Sequence, residues 1–427
     1  MTTRLLTVLS VVCLAAGCSV APRRIAWGDV HGHTAFSDGQ GSLDDYFTYA
    51  RDVARLDFVI VTDHDFGHAA PWRMPKEHWA LTQEKADQYT VKGRFVAIAG
   101  YEWTSQPKYW AEWKDTTNGV RSERLFPGPP RFYNHKVVYF PSRVDYLFSA
   151  KEPAYNNPDL LAEAVRRQRG LIHNAHPDAG PEGANQFDYA PEHSAVIANS
   201  EIRPDVTVWQ GQVYQTKVEQ TLRAFLNRGG RTGFVSGSDT HEGKPAVRTA
   251  VLVPRLTRAA IFDALRRRHN YAVTGDRIVL DFRIDGHVMG EAIEVAGAPR
   301  ITVNVTGTDR IEEVLLVRDG AALCSFNPGV RKVRFECVDD SFGGSSYYYV
   351  RVVQADKDPQ GNPSEAWSSP IWVKSWRLLR RKSAGSPKDS PGPSALERGP
   401  PSAATVPRPG GGAPFPIGSA RAPFDDS

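Results

Sequence analysis

Cysteine is scarce. The 427 residues contain four, and two of these, Cys13 and Cys18, lie in the first apolar stretch. At most one intrachain disulfide, Cys324 with Cys337, is left for the remainder. Excess charge of either sign is also missing: a formal net charge of +4 gives nucleic-acid binding no support, and no nucleic-acid partner is expected. One apolar run stands out, LLTVLSVVCLAAG (5–17), and it is shorter than a usual membrane span of about 20 residues. No G-x-S-x-G elbow occurs, so nothing marks a serine nucleophile of that kind, and no internal repeat is found. What is present, 41% hydrophobic and 23% charged residues, is the composition of an ordinary globular protein. The length allows two domains plus tails, at about 150 residues per domain.

The apolar run reads as an export signal rather than part of the fold. Arg4 precedes it, and small residues lead directly into Cys18. The stretch LAAGC resembles a bacterial lipoprotein signal, although Ala15 stands three places before Cys18 and Leu14 one step earlier. A plain cleaved signal is the alternative. The expectation is a signal at 1–17, a linker at 18–25, and an exported periplasmic or cell-surface lipoprotein anchored in the membrane through lipidated Cys18. An oxidising compartment then permits Cys324 and Cys337 to pair. They flank an Asn-Pro-Gly turn at 327–329, so a hairpin disulfide and two free buried thiols both remain open.

Residues 26–275 alternate strand-like and helix-like stretches. LDFVIVTDH, RFVAIAGYE, HKVVYF, GLIHNAHP, AVIANSEI and TGFVSGSDTH each open on an apolar run and close on polar residues. Ser42 is placed to cap a helix over 42–54, with Leu43, Phe47, Ala50 and Ala54 on one face. Asn157 and Pro158 open another that Gly170 ends. Repeated β-then-α units predict a parallel sheet closed into a barrel. From 276 to 376 the runs become short and alternating, divided by Gly, Asp and Pro, which predicts an antiparallel sandwich. Residues 377–427 are rich in Pro, Gly, Ser and Ala and are expected to be a disordered tail.

In GDVHGHTAFSDG (28–39), His31 and His33 would share one face of an extended segment. In a β/α barrel the chemistry collects where strands end. FVIVT ends at Asp63-His64-Asp65, RFVAIAGY at Glu102, GLIHNA at His176 and TGFVSGS at Asp239-Thr240-His241, while His135 opens the HKVVYF run. Six of twelve histidines therefore fall at predicted rims. His68, His78, His193, His269 and His287 lack that placement, and His173 stands beside the rim set. A lone histidine of this kind is usually an ordinary core residue; the joint pattern points to a metal.

These motifs, HGH followed by Asp38, then TDHD, GYE, NH, AHP and GSDTH in that order, closely resemble the PHP family, named for polymerase and histidinol phosphatase. GYEWT followed by NHKVVYF resembles its exported, carbaryl-hydrolase-like branch. The resemblance covers about residues 26–275. It implies a distorted (β/α)7 TIM-like barrel holding two or three divalent ions (Zn, Mn or Fe). One ion would take His31, His33, Glu102 and Asp239, a second would share Glu102 and add His135 and His176, and a third would take Asp38, His64 and His241. Asp63 and Asp65 would accept the outer ring N–H of ligating histidines.

The reaction expected of such a centre is hydrolysis of a phosphoric mono- or diester of a small molecule by a metal-bridging hydroxide, with Glu102 and Asp239 at the reacting water and His173 as a candidate proton donor beside His68. Hydrolysis of a carboxylic ester, carbamate or amide is the alternative chemistry, and a non-catalytic, metal-stabilised surface module the alternative class. The segment 104–134, with Lys108, Trp110, Trp113, Arg121 and Arg124, interrupts the barrel after Glu102. It reads equally as a substrate cover and as a solvated excursion. The sequence specifies no oligomeric state.

Overall fold

The computed structural model describes residues 24–65, 74–105, 133–177, 186–209 and 212–376. The signal and linker with Cys18, His68, most of the 104–134 segment with its tryptophans, and the 377–427 tail lie outside the described residues.

The protein is mixed α/β and rich in sheet. Its first part runs β1 (Arg24–Asp29), α1 (Leu43–Thr48), β2 (Phe58–Val61), α2 (Lys76–Tyr89), β3 (Val96–Ser105), β4 (Asn134–Tyr139), α3 (Pro158–Arg167), β5 (Leu171–Asn174), β6 (Ile197–Glu201), β7 (Val206–Trp209), β8 (Gln212–Gln215), α4 (Val218–Asn227), β9 (Gly233–Val235), β10 (Thr249–Val253), α5 (Arg258–Arg266) and β11 (Asn270–Val273). Local chemistry explains the helices. Ser42 and Asp45 form a reciprocal capping box at the start of α1, and α1 runs on into a π-helical turn, Tyr49–Val53. The Asn157 side chain accepts from Leu160 N, with Pro158 in the first turn of α3.

The strands pair in the order β10-β1-β2-β3-β4-β5-β6-β9. They curl until Asp239 N donates to His31 O (3.0 Å) and His33 N to Thr240 O (2.8 Å), joining the segment after β9 to the segment after β1. The expected parallel sheet is only partly present. β1-β2-β3 and β5-β6-β9 are parallel, but β4 is antiparallel to both neighbours and β10 antiparallel to β1. The register shows the reversal directly: Ser105, the last residue of β3, pairs with Asn134, the first of β4.

Period-two alternation then sets what lies inside the curl. Phe58, Ile60, Val96, Ile98, Val137, Tyr139, Leu171 and Val235 share one buried cluster, closed below by Ile261, Phe262 and Leu265 of α5. His64, Glu102, His135 and His173 have the parity of these apolar residues and extend the same face to the rim. The opposite face, with Val59, Val61, Ala97, Tyr101, Val138 and Ile172, packs under α1, α2 and α3.

The second part comprises β12 (Val279–Ile284), β13 (His287–Val288), β14 (Ala292–Val295), β15 (Arg300–Thr306), β16 (Ile311–Arg318), β17 (Ala321–Phe326), β18 (Lys332–Val338), β19 (Ser345–Lys357), β20 (Pro363–Ser368) and β21 (Ile371–Ser375). One sheet, β13-β12-β15-β18, stands apart; the others join β11 through β20 and so continue the first sheet. Leu280, Phe282, Ile301 and Val303 of the one meet Val314, Leu316, Val350 and Val352 of the other in a common core. Cys324 and Cys337 are free thiols with Sγ atoms 2.8 Å apart. They do not face each other across a hairpin: β17 pairs with β16 and β18 with β15, so the contact joins two different sheets.

Candidate metal centre

At the rim, Glu102 Oε1 lies 2.8 Å from His135 Nδ1, 3.1 Å from His176 Nε2 and 3.4 Å from His31 Nε2. Its Oε2 lies 3.0 Å from His64 Nδ1 and 3.5 Å from His33 Nε2. Asp239 Oδ1 sits 3.1 Å from His33 Nε2 and 3.3 Å from His31 Nε2. Asp38 Oδ2 lies 3.2 Å from His241 Nε2 and 3.3 Å from His64 Nε2, and its Oδ1 is 3.7 Å from His33 Nδ1. All nine residues expected as ligands therefore meet at one place.

Their grouping differs from the expected partition. Potential ligand atoms gather as His33, Asp38, His64 and His241; as His31, His33 and Glu102; as His31, His176 and Asp239; as His64, Glu102 and His135; and as His31, His173 and Glu201. His33 thus reaches the outer group as well as Glu102, and His176 stands with Asp239 as well as Glu102. The cause is crowding: the ring centroids of His33 lie 4.7 Å from His64 and 4.4 Å from His241.

The donor set fits divalent metal. Nitrogen and oxygen ligands about 2.0–2.2 Å from a tetrahedral or octahedral ion stand about 3.0–3.4 Å apart. The contacts of His31 and His33 with Asp239 and Glu102, at 3.1–3.5 Å, fall in or close to that range. His31 Nε2 and His135 Nε2 are buried without hydrogen-bond partners, a costly state that a bound cation would relieve.

Electrostatics agree. Burial alone would raise the Glu102 carboxyl, yet His135, His31 and His64 hold it well below the usual range. Asp239 is likewise depressed against its burial by His31, His33 and His176, and Asp38 against its own by His241 and His64. Burial would lower His31, but Asp239, Glu201 and Glu102 raise it well above the ordinary value. Burial dominates at His135 and brings it down to about 4. The half-exposed His241 is pushed up to about 9, first by its hydrogen bond to Asp38.

The loops carrying these groups are held by other buried residues. Asp63 accepts from Thr34 N, Thr34 Oγ1 and Ser37 Oγ, each at 2.8 Å. Asp65 accepts from Ser149 Oγ (2.8 Å) and Ala150 N (2.7 Å). The two carboxylates thus clamp loop backbone and hydroxyls, correcting the expectation that they orient histidine rings. His64 Nδ1 instead meets Thr104 Oγ1 at 2.7 Å. The carboxylate that does take a ring N–H is Glu201, which motif reading missed: Oε1 lies 2.8 Å from His31 Nδ1 and 3.3 Å from His173 Nε2, and Oε2 accepts from His176 N at 2.7 Å. Its signal was available, because AVIANSE sets a glutamate after an apolar run as RFVAIAGYE does, and Glu201 ends β6. His173 is fully buried against Tyr139 and Glu201. Asn134, His176 and Asp239 adopt left-handed backbone, with φ of 54°, 27° and 51°, strain of the kind that collects at functional sites. Lys136, which burial pushes down to about 7, donates to the Asn174 side chain at Oδ1 and to the backbone at Gln186 O.

Comparison with known proteins places this arrangement beside uncharacterised ones. Residues 186–293 match a family described as protein of unknown function (DUF3604). Uncharacterised proteins of Chlamydia trachomatis and Chlamydia muridarum are each 25% identical over 390 and 385 residues, 82% of this chain. The chain spans 57% of the length of these relatives. A solved two-domain protein of Bacteroides vulgatus, described as containing a predicted PHP-like metal-dependent phosphoesterase, is 14% identical. It covers 82% of this chain and 95% of its own, with a TM-score of 0.41. Fibronectin(III)-like modules of Clostridium thermocellum CbhA cover 22% of this chain and 92% of their own at 15% identity, with a TM-score of 0.14.

Proposed function

We propose that this chain is a metal-dependent hydrolase of phosphoric esters, with a distorted (β/α)7 PHP-type barrel as its catalytic part. It is further proposed to be exported and anchored in the membrane through a lipidated Cys18. One observation carries the catalytic reading: nine histidines and carboxylates from six separated segments converge on one rim at spacings suited to shared metal coordination.

Two or three divalent ions (Zn, Mn or Fe) held there would activate a water and neutralise the charge of a phosphoryl group. The protein's part is to hold and orient. Glu102, buried on the inner face of β3, is the residue that all five inner histidines approach, which makes it the shared ligand. Asp239 and His241, on the irregular segment after β9, face the open side, where a substrate would arrive. The clamps at Asp63 and Asp65 fix the entering loops, so the polar groups are preorganised before substrate binds. His173, buried beneath the rim, is less suited to protonating a leaving group than the sequence pattern suggested.

The test uses metal-loaded protein and a His64→Ala variant on aryl phosphomonoester, aryl phosphodiester, and naphthyl ester and carbamate substrates. Phosphoester turnover that the variant loses is expected. Turnover of carbonyl esters alone would replace this reading with the ester or carbamate one. Bound metal without any turnover would favour a metal-stabilised binding module.

A further inference from the structure

Glu201 ends β6 with both carboxylate oxygens committed. Oε1 takes the ring of His31 at 2.8 Å, and Oε2 takes the backbone N–H of His176 at 2.7 Å. These two histidines come from opposite sides of the curl, after β1 and after β5. Because a carboxylate only accepts, the proton of that ring contact sits on His31 Nδ1, leaving Nε2 to face Glu102 and Asp239. The second contact pins His176 where its backbone is left-handed, at φ 27°, a conformation that needs outside support.

We infer that Glu201 is the positioning residue of the metal centre: it sets the ring orientation of His31 and the backbone of His176 together, without ligating metal itself. This rests on the metallohydrolase reading above. His31, His173 and Glu201 also form a group close enough to hold an ion, but Glu201 is committed to holding protein, with Oε2 on the backbone N–H of His176 and Oε1 between the rings of His31 and His173. His173 Nε2 approaches the same Oε1 from below at 3.3 Å, which gives that buried histidine a role in holding the carboxylate. The space is tight by construction: a Cβ on Gly237 would lie 2.3 Å from His31 Cβ and 2.6 Å from Glu201 Oε1.

The isosteric swap Glu201→Gln decides the matter. An amide offers one acceptor for two donors, so either His31 or His176 must lose its partner. Zinc and manganese affinities are to be measured by chelator competition on the full chain for wild type, Glu201→Gln, Glu201→Asp and the exposed control Glu192→Gln. Melting of the metal-free proteins and anomalous diffraction of the loaded ones accompany them. The expected result is metal affinity about 10–100-fold weaker in Glu201→Gln, partial recovery in Glu201→Asp, which keeps two acceptors, and no change in the control. Metal-free melting should stay close to wild type. Wild-type affinity in Glu201→Gln would overturn the inference, and so would anomalous density between His31 Nδ1, His173 and Glu201. If the amide variant does not fold, Glu201→Asp decides alone: weakened affinity supports the clamp and unchanged affinity removes it. The expected affinity pattern without ester hydrolysis would leave the clamp standing and remove only the hydrolase reading. A wild-type protein that binds no metal would remove both.

Discussion

Asp38 belongs to the outer edge of the rim, where His241, His64 and His33 surround it at 3.2, 3.3 and 3.7 Å. Asp38→Asn should therefore weaken binding of the ion held there while the group around Glu102 and Asp239 keeps its own, as read by metal affinity per site. The same contact has a pH signature. His241 is pushed up to about 9 by Asp38, so below that pH a proton occupies the nitrogen that metal needs. Metal binding must displace it, and affinity should rise with pH and level off above about 9. In Asp38→Asn the rise should shift toward the ordinary histidine range near about 6.5. Chelator competition across about pH 6 to 10 reads both curves. At this scale the sequence was legible where chemistry repeats: HGH, TDH and SDTH each place a ligand past a strand's end, whereas Glu102 of GYE lies inside β3, which runs on to Ser105. It was not legible where one group serves several, since only folding shows His33 between Glu102 and Asp38. Asp63 and Asp65 misled because adjacency to a ligand in sequence sends alternate side chains to the opposite face of a strand.

Elements carry these residues, and here caps and close approaches matter most. Asn157→Ala removes the acceptor for Leu160 N at the start of α3 and should cost about 1 kcal/mol in denaturant unfolding. Gly237→Ala is expected to be far more harmful, because its Cβ would overlap His31. Weakened metal affinity together with a lower melting temperature is the outcome to look for. Gly39 is constrained in the same way, with His33 carbonyl carbon 2.6 Å from any Cβ; close approach, rather than a left-handed turn, explains the glycine there. The Ser42 and Asn157 caps were readable because capping depends on residues three apart. The reversal of β4 and the β7–β8 hairpin were not, because strand direction depends on where a connection travels rather than on the strand's own composition.

Across the whole molecule, the second part buttresses the first. Glu219 of α4 is buried and accepts from Tyr349 Oη of β19 at 2.6 Å and Trp367 Nε1 of β20 at 3.3 Å. Arg351 Nη1 stands 3.6 Å from its Oε2. Glu219→Ala leaves this cluster without its acceptor and should destabilise the fold by about 3 kcal/mol, with metal affinity retained at temperatures well below melting; calorimetry and chelator competition separate the two. The change from β/α alternation to short alternating strands was plain in the sequence, because period and turn spacing differ. That the two parts share one sheet through β11 and β20 was not, since pairing between distant strands leaves no local mark. Every role proposed for the rim residues requires that the rim hold metal. The most direct test is metal content by mass spectrometry, on full-length protein equilibrated with zinc, manganese or ferrous iron and then freed of excess. Two or three ions per chain are expected, and fewer than two would contradict the assignment of these nine residues to a multinuclear centre.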